Sequence, residues 1–471
     1  MISILKHTYV SKGVLVILMA FTLQSCFVAK DYERPKIVET QNLFRTDHLP
    51  TDSISMADVS WKTLFTDVHL NHYIEEGLEN NIDIRVALQQ IIAAEAYYKQ
   101  GKAGYLPSLN LKATMTHQEL ARNSQFGSFF NGALDQYELS GSLSWEADIW
   151  GKIRSNKRAS EAGYLKTVAA HQAVKTQLIS SIAATYYQLL ALDAQLDITK
   201  KTIDTRESSV ETIKALKDAG QVTQVAVDQN IAQYNNAKAL QVDLEAAIFR
   251  TENTLSILLG KAPQQFERSS LTEQVIESDL KLGVPMTLLR NRPDVMAAEY
   301  NLIQSFELTN VARSNFYPSL TLTGSGGFQS LDLSELINTN SLFANLVGGV
   351  AQPIFNQRRI KTQYEVAKAQ QEQALLNFKK SLLVAGNEVS NALYNYAAET
   401  KKFEFRQNEV EALRNAESNS EELLKNGYAT YLDLLTARQS ELSAELNVIN
   451  SKLQQLLSVV NLYEALGGGW K

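Results

Sequence analysis

Apolar residues recur along the chain either at every second position or at every seventh position, and the two spacings follow each other in the same order twice. Alternating apolar and polar residues predict four β-strands, the last of which is mixed in pattern. The strands are expected near residues 107–117, 136–147, 318–329 and 341–352. A proline-free stretch with apolar residues seven positions apart follows each strand pair and predicts a long helix with a seam for a partner helix. The first seam consists of Ile182, Leu189, Leu196, Ile203 and Val210.

Short motifs recur in the same order in the two halves of the chain. Pro107-Ser108-Leu109 recurs 211 residues later as Pro318-Ser319-Leu320, and Gly220 recurs 207 residues later as Gly427. A duplication of this length indicates two similar structural units, each with short strands and very long helices. The predicted units comprise residues 61–270 and 271–471.

The N-terminus has the features of an export signal. Lys6 and Lys12 precede an apolar run at residues 14–21, which is too short to span a membrane permanently. Leu23-Gln24-Ser25-Cys26 follows and resembles a lipobox, in which the cysteine is acylated and becomes the mature N-terminus. An ordinary signal peptide with an incidental cysteine is the alternative. We expect a signal peptide at residues 1–25, a covalent lipid on Cys26, and an extended, lipid-anchored segment at residues 26–60.

Composition and motif content exclude several classes of function. The net charge of −6 argues against nucleic-acid binding, and Cys26 is the only cysteine, which excludes a disulfide framework. His69 and His72 have no third metal ligand nearby, and Gly324-Ser325-Gly326-Gly327 lacks the lysine of a phosphate-binding loop. We therefore expect no enzymatic activity, no metal site and no cofactor beyond the lipid.

The predicted strands have the length of tilted membrane-spanning strands. No segment after the signal has eighteen uninterrupted apolar residues, so a membrane crossing would have to use strands. Four strands cannot close a barrel, and open sheet edges are not tolerated in lipid. Three copies would supply twelve strands, which is enough to enclose an aqueous bore. The simplest arrangement is a trimeric ring in a bilayer with the helices continuing the tube.

Several motifs then resemble, in order, those of TolC-like outer-membrane factors of the NodT or OprM subgroup. Besides Cys26, they lie at residues 32–35 (YERP), 288–295 (LLRNRPDV), 316–320 (FYPSL), 352–355 (QPIF), 431–435 (YLDLL) and 465–470 (ALGGGW). The resemblance implies an α+β membrane protein: a trimeric 12-stranded β-barrel in the outer membrane, continued by a long periplasmic α-helical barrel. It also implies a passive exit duct of a tripartite efflux pump. The implied partners are two further copies, a periplasmic adaptor protein, an inner-membrane efflux transporter and outer-membrane lipid.

The resemblance also implies a pore constriction after the glycine turn of the second repeat. Leu432 and Asp433 match the family's constriction residues, and Thr436 stands where many members carry a second aspartate. A ring of Asp433 carboxylates would favour cations and could bind divalent ions, and a ring of leucines would exclude water. The alternative is that Asp433 is an ordinary solvated residue near a helix turn.

Four residues at the predicted helix turns are implied to contact the adaptor. They are Gly220, Thr223, Gly427 and Thr430. Ordinary helix capping by the two glycines is compatible with this role.

Two other functions are open from the sequence. A lipid-tethered periplasmic coiled-coil scaffold would explain the helices but not the strands. An exit duct for type I protein secretion would use the same fold. A third option, an anchored hydrolase, has no recognisable site in the sequence.

Overall fold

The computed structural model describes residues 28–35, 60–124, 127, 133–275 and 291–470. The predicted signal peptide, Cys26 and most of the segment up to residue 60 lie outside the described residues. The described elements, in chain order, are helices α1 (Trp61–Leu64), α2 (Val68–Asn80) and α3 (Ile82–Ala103), strands β1 (Ser108–Glu119) and β2 (Ala133–Ala147), helices α4 (Lys152–Asp218), α5 (Gln224–Leu258) and α6 (Pro293–Ser314), strands β3 (Ser319–Ser330) and β4 (Leu342–Ala351), and helices α7 (Arg359–Lys425) and α8 (Tyr431–Ala465).

Most corresponding elements of the two halves have equal lengths, the exception being the second strands, with 15 residues in β2 and 10 in β4. Helices α3 and α6 have 22 residues each, α4 and α7 have 67 each, and α5 and α8 have 35 each. Strands β1 and β3 have 12 residues each. The strand bounds differ from those expected from the sequence by at most three residues. The boundary between the two repeats stays a prediction, because residues 276–290 lie outside the described part of the chain.

The described residues fall into two compact units, and each unit contains segments of both halves of the sequence. The first comprises the described parts of residues 1–35, 92–166 and 298–378. The second comprises the described parts of residues 36–91, 167–297 and 379–471. A compact unit is therefore not the same as a sequence repeat.

The first unit contains a four-stranded antiparallel sheet with the order β1-β2-β3-β4. In register, Leu109 lies opposite Leu143 on β2, and Trp145 lies opposite Leu322 on β3, so the alternating apolar residues share one face. This face is open in a single chain, where Leu111 is 84% exposed. Among the described residues, β1 and β4 each pair on one side only and form the two sheet edges.

The N-terminal segment at residues 28–35 packs on helices of the first unit. The ring of Tyr32 lies edge-on to Phe306, with their centroids 5.6 Å apart. Arg34 donates to the Glu299 carboxylate at 2.9 Å. The segment is therefore held in place by α6 shortly after the position of the expected lipid anchor.

The second unit has an aromatic core. Phe65 is almost fully buried and meets the rings of Tyr187 and Tyr463 edge-on, at centroid distances of 6.4 and 6.1 Å. Asn81 caps α3 by accepting hydrogen bonds from the backbone N–H groups of Asp83 and Ile84, at 2.8 and 3.1 Å. Asparagine is among the residues favoured at the N-cap of a helix, so the residue type alone predicts this cap.

None of the helices formed by the described residues is both long and apolar enough to cross a membrane.

Candidate functional site at the helix turns

Two glycines, both in the second unit, end the two longest helices in the same way. Gly220 follows α4 with φ +77°, and Gly427 follows α7 with φ +76°. The Gly427 N–H donates to the Leu424 carbonyl at 3.0 Å, and the next N–H, of Tyr428, donates to Leu423 at 2.9 Å. This is the Schellman arrangement, which requires a left-handed residue and so favours glycine. A Cβ added to either glycine would meet no atom within 4 Å, so the requirement is conformational rather than steric.

The helix after the second turn begins with a capping box. Thr430 is the N-cap of α8, and its hydroxyl oxygen accepts from the Asp433 N–H at 3.4 Å. In return, the Thr430 N–H and hydroxyl donate to Asp433 Oδ2 at 2.8 and 2.7 Å. In the first repeat, Thr223 is the N-cap of α5 but makes no side-chain cap bond, and Ala226 stands where Asp433 would be. The carboxylate is therefore particular to the second turn.

The same hydrogen bonds set the charge of Asp433. The side-chain and backbone hydrogen bonds from Thr430 lower the pKa of this exposed carboxyl below its usual value. Asp433 is thus ionised at neutral pH. Because its folded-state pKa is lowered, the cap stabilises the helix above the unfolded-state pKa, and this is lost as the pH falls through the folded-state value. Among the described residues, no group of three or more His, Cys, Asp or Glu is placed to hold a metal ion.

Leu432 and Thr436 lie beside Asp433 on the first turns of α8. Leu432 is 56% exposed, whereas Leu434 and Leu442 on the packed side of α8 are buried. The Thr436 hydroxyl donates to the Leu432 carbonyl at 2.8 Å, so it is satisfied within its own helix. Residues four apart share a helix face, so the structure places Leu432 and Thr436 on one face with Asp433 next to it.

A polar network that the sequence did not reveal holds the start of α8 in place. The Tyr431 hydroxyl contacts the Asn230 side chain on α5. Arg206 on α4 is buried and donates to the Gln233 carbonyl at 2.5 Å and to Gln439 Oε1 on α8 at 2.8 Å. Burial lowers the pKa of Arg206, whose hydrogen-bond partners are neutral oxygens. The contacts of α8 with α4 and α5 at this level are therefore made without a carboxylate.

The contacts of α8 with α7 are ionic instead. Arg438 donates to Glu417 at 2.8 Å and to Glu421 at 3.2 Å. Arg414 donates to Glu445 at 2.5 Å. A cleft of about 430 Å³ between α4, α7 and α8 is lined by Arg438, Glu417, Arg414 and Glu445. Burial, followed by the neighbouring Glu445 and Glu417 charges, raises the pKa of Glu441 in this cleft.

The motif at residues 288–295 has a structural role that the sequence did not reveal, and its residues 291–295 lie within the described part of the chain. Arg292 is 7% exposed and makes a bidentate contact with Asp294, at 3.0 and 2.7 Å. Its guanidinium also donates to the carbonyl of Ala465, the last residue of α8, at 3.0 Å and contacts Glu388 at 2.6 Å. The Trp470 indole N–H donates to the Asn291 carbonyl at 3.0 Å. The motifs at residues 288–295 and 465–470 thus bind each other.

Comparisons with known proteins agree with the resemblance seen in the sequence. The sequence model of the family described as "outer membrane efflux protein" matches residues 73–261 and 284–468. The cation efflux system protein CusC of Escherichia coli O157:H7 is 28% identical over 96% of this chain and 98% of its own length. The solvent efflux pump outer membrane protein SrpC of Pseudomonas putida is 30% identical over 89% of each chain. The solved structure of the outer-membrane channel OprN superposes with a TM-score of 0.86 at 25% identity, covering 94% of this chain and 99% of that one.

The chain belongs to the outer membrane efflux protein family. It is an outer-membrane efflux channel with a mostly helical fold and one β-sheet, which confirms the sequence-based identification of the family.

Proposed function

We propose that three copies of this chain form a 12-stranded β-barrel in the outer membrane, continued by a periplasmic α-helical barrel. The assembly is a passive exit duct for small molecules in a tripartite efflux pump. A periplasmic adaptor protein and an inner-membrane efflux transporter are its partners. CusC and SrpC, whose names refer to efflux of cations and of solvents, support this role.

The single observation that carries the proposal is the open sheet of the first unit. Its apolar face and its two edge strands are exposed in one chain, as Leu346 (76% exposed) on β4 shows. Unpaired backbone groups in hydrocarbon cost several kcal/mol each. A closed barrel removes both edges and turns the apolar face towards lipid.

We further propose that the helix turns form the periplasmic end of the duct. Leu432, Asp433 and Thr436 would line its constriction, because they are exposed on the first turns of α8. The residues that would contact the adaptor are Gly220, Thr223, Gly427 and Thr430, all at the exposed or half-exposed turns.

The channel proposal is tested by recording ion conductance of the purified trimer in planar lipid bilayers. We expect stable channels, and Asp433→Asn should lower the ratio of cation to anion permeability because it removes one carboxylate per copy from the mouth. Asparagine retains an oxygen that can accept from Thr430, so the helix cap is largely kept.

Asp228→Asn is the matched control, since Asp228 is an exposed carboxylate near the equivalent turn of the first repeat. It should leave selectivity unchanged. Absence of conductance from correctly assembled trimers would favour the tethered scaffold. Conducting trimers with unchanged selectivity in the Asp433 variant would remove Asp433 from the constriction.

We also propose that Cys26 carries the lipid anchor. Cys26→Ser should abolish incorporation of labelled palmitate into the protein in cells, because serine cannot form the thioether that starts acylation. Ser25→Ala, at the neighbouring position, should still be labelled. Equal labelling of Cys26→Ser and the unmodified chain would show that Cys26 is not the acylated residue.

A further inference from the structure

The internal duplication relates strands β1 and β3 residue by residue. Both strands have 12 residues, and Ser108 at the start of β1 corresponds to Ser319 at the start of β3. Their hairpins carry this correspondence to the next strand, because Ser108 pairs with Ser144 and Ser319 pairs with Ala351. Ser144 on β2 therefore corresponds to Ala351 on β4, which lies 207 residues later.

Two features beyond the strands confirm the correspondence of β2 with β4. The long helices that follow begin at Lys152 and Arg359, which are also 207 residues apart. The residues just before these helices, Gly151 and Arg358, both have left-handed backbones, with φ +75° and +63°. Arg358 adopts this conformation although it is not glycine, so the left-handed position before the helix occurs in both repeats despite the difference in sequence.

The pairing of β2 with β3 joins the second strand of the first repeat to the first strand of the second repeat. In this pairing Leu143 lies opposite Gly324, and Ser142 lies opposite Ser325. β4 is the second strand of the second repeat. In a ring of identical copies, the next strand after β4 is β1 of a second copy, which is the first strand of that copy's first repeat. The contact between copies thus corresponds to a contact that each chain already makes within itself.

We propose, on the basis of the trimer proposed above, that β4 pairs antiparallel with β1 of a second copy in the register of the β2–β3 pairing. Leu143 corresponds to Val350 and Gly324 to Ala113, so Val350 lies opposite Ala113 of the second copy. By the same correspondence, Gly349 lies opposite Thr114 of the second copy, and Gly348 lies opposite Met115.

The side-chain faces of the strands support this register independently. Within the chain Val350 pairs with Leu320, so it belongs to the apolar face of the sheet, and it is 70% exposed. Ala113 pairs with Leu139 on the same face. A shift of the proposed register by one residue would set the apolar side chains of β4 opposite the polar ones of β1. The proposed register instead sets Val350 opposite Ala113 and Ile354 opposite Leu109, so apolar residues of the two copies meet at these positions.

Pro353 explains where the pairing between copies ends. In the proposed register Pro353 lies opposite Asn110 of the second copy, and proline has no N–H to donate to a ladder. Within the chain the corresponding pairing continues to Ala147 opposite Leu320. The residues beyond the proline, Ile354 and Leu109 of the second copy, are both exposed apolar side chains that would cover each other without ladder hydrogen bonds.

Disulfide cross-linking in isolated outer membranes tests the register. The full chain carrying Ala113→Cys and Val350→Cys is treated with a mild oxidant and run on a non-reducing denaturing gel. Within one chain the two positions are more than about 14 Å apart, because β2 and β3 lie between their strands, and three strand spacings already exceed the reach of a disulfide. We therefore expect covalent dimers and trimers that a reductant converts to monomers. Each single variant should stay monomeric on the same gel, which controls for Cys26.

The combination of Thr114→Cys with Gly349→Cys is a second test on the opposite face of the same strands, and it should also cross-link. The control for register is Ala113→Cys with Leu346→Cys, which uses the same strands and face but is four residues out of alignment, about 13 Å. It should not cross-link.

The outcomes separate the register from the trimer on which it rests. Heat-modifiable trimers that cross-link only in the control pair, or in neither test pair, would overturn the register but leave the trimer. A membrane-inserted chain without trimers and without conductance would overturn both.

Discussion

Replacement of Arg292 by alanine is expected to lower the free energy of unfolding by about 2–3 kcal/mol, because the buried guanidinium makes charged hydrogen bonds to carboxylates that are about half exposed. The side chain is 7% exposed, and its guanidinium binds the carboxylate of Asp294, the carboxylate of Glu388 and the carbonyl of Ala465. Truncation would leave the Ala465 carbonyl at the end of α8 without this donor. Asp294 would also lose the guanidinium that binds both of its carboxylate oxygens.

The effect can be measured as the shift in the denaturant midpoint of the detergent-solubilised protein, followed by circular dichroism. Arg292→Lys should recover only part of the loss, because an ammonium group cannot reproduce the planar fork that meets Asp294 at two points. Arg34→Ala is the matched control: its guanidinium pairs with Glu299 at 2.9 Å but is half exposed, so the cost should be below about 1 kcal/mol. Equal losses for Arg292→Ala and Arg34→Ala would show that the buried contacts do not hold the end of α8.

The sequence was sufficient to predict elements whose cause is local. Alternation of apolar residues on β1 and β2, the side-chain cap at Asn81, and the left-handed turns at Gly220 and Gly427 each depend on a few neighbouring residues. Because the sequence is duplicated, each element predicted in the first repeat is also expected in the second. The equal lengths of corresponding helices agree with this expectation.

The parts that the sequence could not predict depend on distant residues. The contact between Arg292 and Ala465 joins positions 173 residues apart, and the contact between Arg206 and Gln439 joins positions 233 residues apart. No local pattern marks an arginine as buried, since arginine is mostly an exposed residue. The only signal at Arg292 in the sequence was its position beside proline and aspartate within a family motif. That signal does not indicate which distant residues the side chain contacts.

Asp433 shows how a local structural cause and a functional role can coincide. The Thr-x-x-Asp spacing from Thr430 was visible in the sequence and gives the carboxylate a structural purpose as half of a capping box. That purpose does not depend on a pore. The presence of an acidic residue here therefore does not by itself establish a charged constriction, and only a variant that keeps the cap while removing the charge separates the two roles.

Replacement of Gly467 by alanine is expected to destabilise the protein by about 1–3 kcal/mol more than the same replacement of Gly427. The two glycines follow the ends of α8 and α7 with nearly equal backbones, at φ +79° and +76°. Both make the same pair of Schellman hydrogen bonds, since the Gly467 N–H donates to Glu464 and the Gly468 N–H to Tyr463, at 2.8 and 3.0 Å. An alanine at either position therefore incurs the same left-handed strain, about 1–2 kcal/mol.

The surroundings of the two glycines differ. A Cβ at Gly467 would lie 2.7 Å from the Asn291 carbonyl oxygen and 3.0 Å from the Arg292 Cα, both backbone atoms, whereas a Cβ at Gly427 would meet nothing within 4 Å. Backbone cannot move aside as a flexible side chain can, so Gly467→Ala must separate the end of α8 from the segment that contains Asn291 and Arg292. Comparing the unfolding midpoints of the two variants cancels the conformational strain and leaves the steric cost. Equal midpoints would mean that the C-terminal segment can shift away from Asn291 freely, and the contact between the two motifs would then contribute little to the stability of the second unit.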